Sequence, residues 1–335
     1  MKRALLVVFM AGCSPAASLK SALTARGNRL TTPDGASVVL RGVNLSGSEF
    51  RCIKGDGIFE GPEVETLAAG LSSWNINAVR IPLNESCWLG DERLRLEASG
   101  SIYRDAIVKR VAYLRAQGWY VIVDLHWSAV GSALATGIAP MPHASRAPEF
   151  WSSVATAFRS DGGVLFDLYN EPHIGPLPVA DAWRCWRDGC TIENVAVAGM
   201  QALVGAVRRT GARNVILVSG LDWANDVSQW TNYRPKDDQL AISFHTYNFN
   251  RCNTATCWNL IPRDVPVVIT ELGENDCTSV FAKDVFAWAR AKGASFLAWT
   301  WNRWDCKRGP ALIEQWDGTP TPYGQGVRDA LRSSR

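Results

Sequence analysis

Eight short apolar runs recur along residues 39–301, and they constrain the fold of this chain more than any other feature. Between several of them lie amphipathic patterns with apolar residues three and four apart, which are typical of helices. Apolar runs that alternate with helices indicate parallel strands, and eight such strands predict a closed barrel. The predicted strands are residues 39–44, 78–82, 120–126, 164–170, 215–219, 241–247, 265–271 and 295–301. The fold class is therefore predicted to be α/β, with a (β/α)8 barrel of the TIM type.

The rest of the pattern also favours one barrel. An open, doubly wound sheet is the alternative, but no glycine-rich phosphate loop follows the first strand. Residues 29–41 predict a short N-terminal β-hairpin that turns at Pro33-Asp34-Gly35. Long helices are predicted over 192–209 and 280–291. No linker or second core interrupts 18–335, so this range is predicted to form a single domain.

Residues 1–17 have the features of an export signal: the basic pair Lys2-Arg3, an apolar stretch and then small residues. The segment Met10-Ala11-Gly12-Cys13 also resembles a bacterial lipobox, in which the cysteine is lipidated, although leucine is usual where Met10 stands. The chain is therefore expected to be exported, and either secreted or lipid-anchored at the bacterial cell envelope. A cytosolic apolar N-terminus is the alternative. No apolar run reaches the roughly 20 residues needed to span a bilayer, so no membrane span is expected.

Charge and tryptophan content limit the partners. The sequence has 35 basic and 32 acidic residues, a formal net charge of +3, without the basic excess expected of a nucleic-acid-binding protein. Its 15 tryptophans are unusual, but indole rings fill cores as well as stack on sugars. We therefore expect no nucleic-acid partner, and the tryptophans alone favour a carbohydrate only weakly.

Eight cysteines remain when Cys13 is assigned to the leader, an even number that predicts disulfides in an exported chain. Zinc is the alternative, but neither Cys-x4-Cys pair has a neighbouring cysteine or histidine to complete a ligand set. Cysteines that follow neighbouring barrel strands, or that lie five residues apart, are close enough to bridge. The predicted pairs are Cys52–Cys87, Cys185–Cys190, Cys252–Cys257 and Cys277–Cys306.

Polar and aromatic residues end most of the predicted strands, at the face where barrel enzymes place their catalytic groups. The two sharpest instances are Glu171, in Asn170-Glu171-Pro172, and Glu271, in Thr270-Glu271-Leu272-Gly273. Retaining glycoside hydrolysis requires two such carboxylates facing each other across a cleft, one as acid and one as nucleophile. The alternative is that the two glutamates are helix N-caps.

The ordered set of motifs resembles glycoside hydrolase family 5, the cellulase family, over residues 41–323. The resemblance rests on Arg41-Gly42-Val43-Asn44, Arg80-Ile81-Pro82, Asp124-Leu125-His126, Asn170-Glu171-Pro172, His245-x-Tyr247, Glu271 and the tryptophans of strand eight. It implies a retaining hydrolase of a β-linked polysaccharide that needs no metal or cofactor. Separately, the chain is expected to be a monomer. An endo-β-1,4-glucanase is favoured. A β-mannanase or another β-glucan hydrolase is the alternative, and an inactive carbohydrate-binding barrel is the alternative of another class.

The resemblance also implies roles for single residues. Glu171 matches the acid/base and Glu271 the nucleophile, and retention requires their carboxyl groups to lie about 5–5.5 Å apart. Arg80 and Tyr247 are expected to contact Glu271, with Arg80 keeping it ionised. Asn170 is expected to bind the sugar 2-hydroxyl.

Aromatic residues are expected to surround the bound sugar. His126 and His245 line its site, and Trp301, with Trp299 as the less favoured choice, is the platform beneath it. Strand eight departs from the Trp-Ser pattern of well-studied cellulases, which leaves the polysaccharide open. Two further histidines, His143 and His173, match no family position and are expected to be structural. Further platforms are expected among Trp127, Trp186, Trp223, Trp258 and Trp304, whereas Trp74, Trp151 and Trp288 are expected in the core.

Overall fold

A computed structural model describes residues 21–333, so the predicted leader and Cys13 lie outside the described residues. The strands are β1 (Thr24–Arg26), β2 (Arg29–Thr31), β3 (Ser37–Val38), β4 (Arg41–Asn44), β5 (Ala78–Asn84), β6 (Tyr120–Trp127), β7 (Val164–Asp167), β8 (Gly189–Ile192), β9 (Val195–Ala198), β10 (Ile216–Ser219), β11 (Leu240–Tyr247), β12 (Val267–Gly273) and β13 (Ser295–Ala298). The helices are α1 (Arg51–Lys54), α2 (Val64–Ser72), α3 (Glu85–Leu89), α4 (Gly100–Ala116), α5 (Arg146–Phe158), α6 (Val179–Asp188), α7 (Met200–Arg209), α8 (Leu221–Ala224), α9 (Trp230–Tyr233), α10 (Ala255–Trp258), α11 (Val280–Lys292) and α12 (Pro322–Arg332).

Eight of these strands form the predicted closed barrel. Their order around the barrel is β4-β5-β6-β7-β10-β11-β12-β13, and β13 pairs in parallel with β4 to close it. The antiparallel β1-β2-β3 sheet precedes the barrel, with β2 and β3 forming the predicted hairpin around the turn at Pro33-Asp34-Gly35. The strand β1 was not predicted.

Alternation along the barrel strands explains why the polar residues meet at one end. On β5, Ala78 joins the apolar cluster inside the barrel, and Arg80, two residues later, faces the same way. On β6, Asp124 follows Ile122 by two residues, and on β7, Asp167 follows Leu165 by two residues, so both aspartates also face the inside of the barrel. Leu23 and Leu30 of the N-terminal sheet belong to that apolar cluster too. One end of the barrel is therefore filled with apolar side chains, and the polar layer lies at the carboxyl ends of the strands.

The predicted helix over 192–209 is wrong at its beginning. Residues 189–198 form the antiparallel hairpin β8–β9, and α7 begins only at Met200. Glu193 and Asn194 make the turn with positive φ values of 46° and 65°, as a two-residue hairpin turn requires. Alternating β-branched residues on either side of this turn override the helical pattern.

Four disulfides have the predicted pairing: Cys52–Cys87, Cys185–Cys190, Cys252–Cys257 and Cys277–Cys306. All of them join segments that follow barrel strands, at the same end as the polar layer. Within residues 21–333, no helix combines the length and the apolarity that crossing a bilayer requires.

Candidate active site

The guanidinium of Arg80 lies at the centre of the polar layer and is completely buried. Its Nη1 donates to Glu271 Oε1 at 2.6 Å and to Asn44 Oδ1 at 3.1 Å. Its Nη2 donates to Asn170 Oδ1 at 2.8 Å. Two aspartates complete the set: Nε bonds to Asp167 Oδ2 and Nη2 contacts Asp124 Oδ2, both at 3.1 Å. One cation thus holds side chains from β4, β6, β7, β12 and the segment after β7 in fixed positions.

This network concentrates negative charge around one cation. Burial alone would lower the pKa of Arg80, but the carboxylates of Asp124, Asp167 and Glu271 outweigh it and raise that pKa. Burial raises the pKa of both Asp124 and Asp167, against the opposing effect of Arg80. Three buried carboxyls thus share one guanidinium, whose charge only partly offsets the effect of burial on the pKa of the two aspartates.

Glu271 lies on β12 and is 3% exposed. One of its oxygens accepts from Arg80, and the other accepts from the Tyr247 hydroxyl at 2.6 Å. Burial raises the pKa of Tyr247 well above its ordinary value, so the phenol remains a donor. These two donors hold both oxygens of the carboxyl in fixed positions.

Glu171 has a different environment. It follows β7 by a few residues, its side chain is 14% exposed, and Oε1 lies 2.9 Å from His245 Nδ1. Burial raises the pKa of Glu171 to about 7, although the charge of Arg80 opposes the shift. Burial also lowers the pKa of His245 to about 3, so its ring is neutral and suited to donate from Nδ1–H to the carboxyl. Glu171 can therefore carry a proton near neutral pH, whereas Glu271 is paired with the guanidinium of Arg80.

The two glutamates are close together. An oxygen of Glu171, an oxygen of Glu271 and a ring nitrogen of His245 all lie within 4.8 Å of one another. Two carboxylates and an imidazole are a possible ligand set for a divalent cation. Here, however, both oxygens of Glu271 already accept hydrogen bonds, and Nδ1 of His245 already contacts Glu171. Acid–base chemistry uses these groups with the hydrogen bonds they already have.

A cleft of about 520 Å³ opens above the two carboxyls. Its lining residues are His126, Ile138, Asn170, Glu171, Trp223, Tyr247, Phe249, Asn250, Glu271, Trp299 and Pro310. The His126 ring lies parallel to that of Trp299, with centroids 5.4 Å apart, and its Nδ1 contacts Asp124 Oδ2 at 2.9 Å. Burial lowers the pKa of His126 to about 4, so its ring is neutral at this wall.

The prediction that Trp301 is the sugar platform is wrong. Trp301 is 1% exposed and packs edge-to-face on Trp74 with centroids 4.8 Å apart, whereas Trp299 lines the cleft. The prediction assumed that strand eight extends through residue 301, so that both rings face the same way. Because β13 ends at Ala298, its alternation does not reach Trp301.

The other tryptophans divide into two groups. Trp186 and Trp258, at 0% and 2% exposure, are core residues and not the platforms that were expected. Trp223 is 43% exposed, Trp304 is 40% exposed and Trp127 is half-buried, so these three keep accessible surface. The predicted core positions of Trp74, Trp151 and Trp288 are confirmed.

Several residues of the site were not identified from the sequence. Asp167 could have been found, because it follows Leu165 by two residues on β7 and so faces the same interior. Phe249, 61% exposed beside Tyr247, gave no signal, because it lies in a loop. His173 stacks on Trp223 with centroids 3.6 Å apart, and its Nδ1 contacts the carbonyl oxygen of Glu171 at 2.9 Å.

The chain is similar to several known proteins. The model of the family described as "Cellulase (glycosyl hydrolase family 5)" matches residues 32–305. A manganese dependent endoglucanase of Phanerodontia chrysosporium is 28% identical over 208 residues, covering 58% of this chain and 47% of that protein. An endoglucanase of Microbulbifer sp. is 23% identical over 332 residues, covering 92% of this chain and 57% of that protein. This chain thus spans about half the length of the curated relatives it matches.

Solved structures share the fold. A β-glucanase of Saccharophagus degradans superposes with a TM-score of 0.72 at 18% identity, covering 98% of both chains. An endocellulase of Pyrococcus horikoshii superposes with a TM-score of 0.67 at 18% identity, covering 93% of this chain and 99% of the other.

Proposed function

Since the chain belongs to the cellulase family, glycosyl hydrolase family 5, we propose that it is a retaining endo-β-1,4-glucanase with Glu171 as acid/base and Glu271 as nucleophile. The observation that carries the proposal is the pair of carboxyls within 4.8 Å, one in an environment that favours its proton and the other paired with the guanidinium of Arg80. An inverting enzyme needs roughly 6.5–9.5 Å to place a water between such groups. Both curated relatives described above are named endoglucanases, which supports a β-glucan as substrate.

In the first step, an oxygen of Glu271 attacks the anomeric carbon from the face opposite the leaving group. As the new C–O bond forms, the glycosidic C–O bond breaks, and the proton of Glu171 passes to the departing oxygen. In the second step, Glu171 takes a proton from water, the water oxygen attacks the anomeric carbon, and the bond to Glu271 breaks. Two inversions give net retention, and each carboxyl returns to its starting state.

The surrounding residues lower the activation barrier of these steps because they hold the catalytic groups and the sugar in fixed orientations. Arg80 and Tyr247 hold both oxygens of Glu271, so that the attacking atom has little freedom before substrate binds. Asn170 accepts from Arg80 through Oδ1, which directs its amide NH2 toward the 2-hydroxyl of the sugar at the anomeric centre. Trp299, backed by His126, supplies the platform beneath that sugar.

Exposed aromatic rings on opposite sides of the barrel mouth support cleavage within a polymer. Trp304 follows β13, next to β4, and its ring contacts that of Phe50, with centroids 6.2 Å apart. Trp223 follows β10, which is across the barrel from β4 and β13. A chain that crosses the cleft between these rings extends beyond the catalytic pair in both directions. That arrangement favours internal cleavage.

Activity and stereochemistry together test the proposal. Purified protein is assayed on carboxymethylcellulose, mixed-linkage β-glucan, mannan and xyloglucan, with Glu271→Gln as the inactive control. Proton NMR of the first products is expected to show the β-anomer from a β-1,4-glucan. Mannan as the preferred polymer would change the substrate assignment, initial α-anomer would refute retention, and binding without hydrolysis would indicate a carbohydrate-binding barrel.

We also propose that the protein is exported as a monomer, and that residues 1–17 are its signal with Cys13 as a possible lipidation site. Four disulfides support an oxidising compartment. Mass spectrometry of the N-terminal peptide from protein expressed in a bacterial host tests export and the fate of Cys13. A lipid on Cys13 indicates anchoring, cleavage after Ala16 or Ala17 indicates secretion, and an intact N-terminus contradicts export. Light scattering of the purified protein tests the monomer.

A further inference from the structure

Phe249 is the most exposed aromatic residue that lines the catalytic cleft, at 61%, and the mechanism above gives it no task. Its ring is stacked on that of Tyr247, with centroids 5.1 Å apart and an angle of 17° between the ring planes. Tyr247 in turn donates its hydroxyl proton to an oxygen of Glu271. We propose that Phe249 is a positioning residue, which holds the phenol ring of Tyr247 in place and thereby fixes Glu271. This inference rests on the proposed glycoside hydrolase function and extends it.

The turn that carries Phe249 is held by reciprocal hydrogen bonds. The backbone N–H of Tyr247 donates to Asn250 Oδ1 at 2.6 Å, and the N–H of Asn250 donates back to the carbonyl oxygen of Tyr247 at 3.0 Å. Asn248 Nδ2 donates to Asn275 Oδ1 at 3.1 Å, and Asn248 Oδ1 accepts from the N–H of Asn275 at 3.3 Å. The residues on both sides of Phe249 are therefore anchored, so its backbone has a defined position relative to Tyr247.

The neighbouring strand β12 confines the Tyr247 ring from another direction. Tyr247, at the end of β11, is paired with Gly273 at the end of β12. A Cβ on Gly273 would lie 2.7 Å from Cε1 of Tyr247 and 2.8 Å from Cβ of Pro310. Both rings therefore approach this strand more closely than any other residue at 273 would allow. Since Cε1 is next to the carbon that bears the hydroxyl, Gly273 lies against the hydroxyl end of the phenol.

Phe249 supplies a contact along the face of this ring, which backbone pairing and Gly273 do not provide. Tyr247 is only 8% exposed although it lines the cleft, and stacking by Phe249 contributes to this cover. The hydroxyl is the outermost atom of the side chain, so any tilt of the ring moves it most. A displacement of about 1 Å at a catalytic group costs up to about 100-fold in rate. Loss of the stacked ring should therefore loosen the 2.6 Å hydrogen bond between Tyr247 and Glu271.

Stacking on a bound sugar is the alternative task for an exposed ring in the cleft. The two tasks depend on different groups. Positioning acts through the hydroxyl of Tyr247, and its effect disappears when that hydroxyl is removed. Contact with a sugar acts on the substrate directly, and its effect remains. A double-mutant cycle between the two side chains separates them.

Phe249→Ala, Tyr247→Phe and the double variant are assayed on β-cellobiosyl fluoride by the release of fluoride. Fluoride is too small to contact Phe249, so the assay reports on the nucleophile and not on binding of a leaving group. Phe249→Ala alone should lower kcat by about tenfold with KM within about twofold of the parent. In the Tyr247→Phe background, the same substitution should change kcat by less than about twofold. Leu260→Ala, at a residue 77% exposed outside the cleft lining, is the matched control and should match the parent.

Phe249→Tyr keeps a stacked ring and should retain kcat within about twofold of the parent. A tenfold loss with Phe249→Ala in both backgrounds would overturn the inference and indicate contact with the sugar. Parental kcat for Phe249→Ala, or an equal loss for Phe249→Tyr, would also overturn it.

If the parent releases no fluoride, the proposed function fails instead. Crystal structures of the parent and of Phe249→Ala then decide on positioning independently of activity. A Tyr247 hydroxyl displaced from Glu271 in Phe249→Ala is the expected result, and an unchanged hydrogen bond is the refutation.

Discussion

Replacing Glu171 by glutamine should make the stability of this protein less sensitive to alkaline pH. Burial raises the pKa of Glu171 from 4.5 to about 7 in the folded protein. The unfolded chain therefore releases this proton first as the pH rises, and the folded state loses stability between about pH 4.5 and 7. Above pH 7, ionisation of this buried carboxyl lowers the free energy of unfolding by about 3 kcal/mol relative to acid pH. Glutamine keeps the shape of the side chain and its contact with His245 but carries no charge at any pH, so it avoids this cost.

Guanidinium titrations of the parent and of Glu171→Gln at pH 4 and pH 8 measure the effect. The free energy of unfolding of Glu171→Gln minus that of the parent should be about 3 kcal/mol larger at pH 8 than at pH 4. The buried Asp124 and Asp167 are common to both proteins, so their titration largely cancels in the difference. Glu97→Gln, at an exposed position, should show no comparable shift. A difference that is the same at pH 4 and pH 8, or that moves in favour of the parent, would refute the assignment of a buried, protonated carboxyl at Glu171.

Other substitutions test the remaining contacts. The parent should lose kcat/KM as the pH rises through about 7, the pKa of Glu171, and Glu171→Gln should lack this alkaline limb on aryl cellobiosides. Trp299→Ala should lower kcat/KM on cello-oligosaccharides by about tenfold with little change in Tm. Trp301→Ala, in contrast, should cost about 3–5 kcal/mol of stability because that ring is buried. Equal effects of the two substitutions on kcat/KM and on Tm would contradict the assignment of Trp299, rather than Trp301, as the sugar platform. Arg80→Lys should lower kcat by about 100-fold, since an ammonium cannot reach all the partners of the guanidinium; near-parental kcat would contradict its role. Replacing both Cys52 and Cys87 by serine should cost about 3–4 kcal/mol in denaturant titrations, and an unchanged midpoint would contradict the disulfide.

The barrel was predictable because its sequence signal is repeated. Each strand is a buried apolar run, and eight of them in alternation with helices leave few other architectures. Glu171 and Glu271 were singled out for a related reason: each stands at the carboxyl end of a predicted apolar strand, where a carboxylate has no packing role and reaches the mouth of any barrel built this way. Glu271 was the expected partner of Arg80. The other four partners lie on β4, β6, β7 and the segment after β7, and they are harder to predict because they meet Arg80 only after the barrel closes.

The errors have local causes. Trp301 was misplaced because a strand was extended by three residues beyond Ala298, and the alternation of side chains was applied to a segment that does not follow it. The hairpin β8–β9 was hidden within an apolar stretch that also fits a helix. The left-handed turn at Asp222-Trp223-Ala224 contains no glycine to announce it, and its contacts with Pro172, His245 and Cys252 form only in the folded barrel.

Trapping the covalent intermediate tests the central claim most directly. A 2-deoxy-2-fluoro-β-cellobioside with a dinitrophenyl leaving group forms the glycosyl-enzyme but slows its hydrolysis, because the fluorine disfavours the charged transition state. After proteolysis, mass spectrometry should locate one added fluorocellobiosyl group on the peptide that contains Glu271, at the carboxylate of that residue. Glu171→Gln should still accumulate this adduct, and Glu271→Gln should not. Turnover of the reagent with no adduct, or an adduct on any residue other than Glu271, would contradict the assignment of the nucleophile.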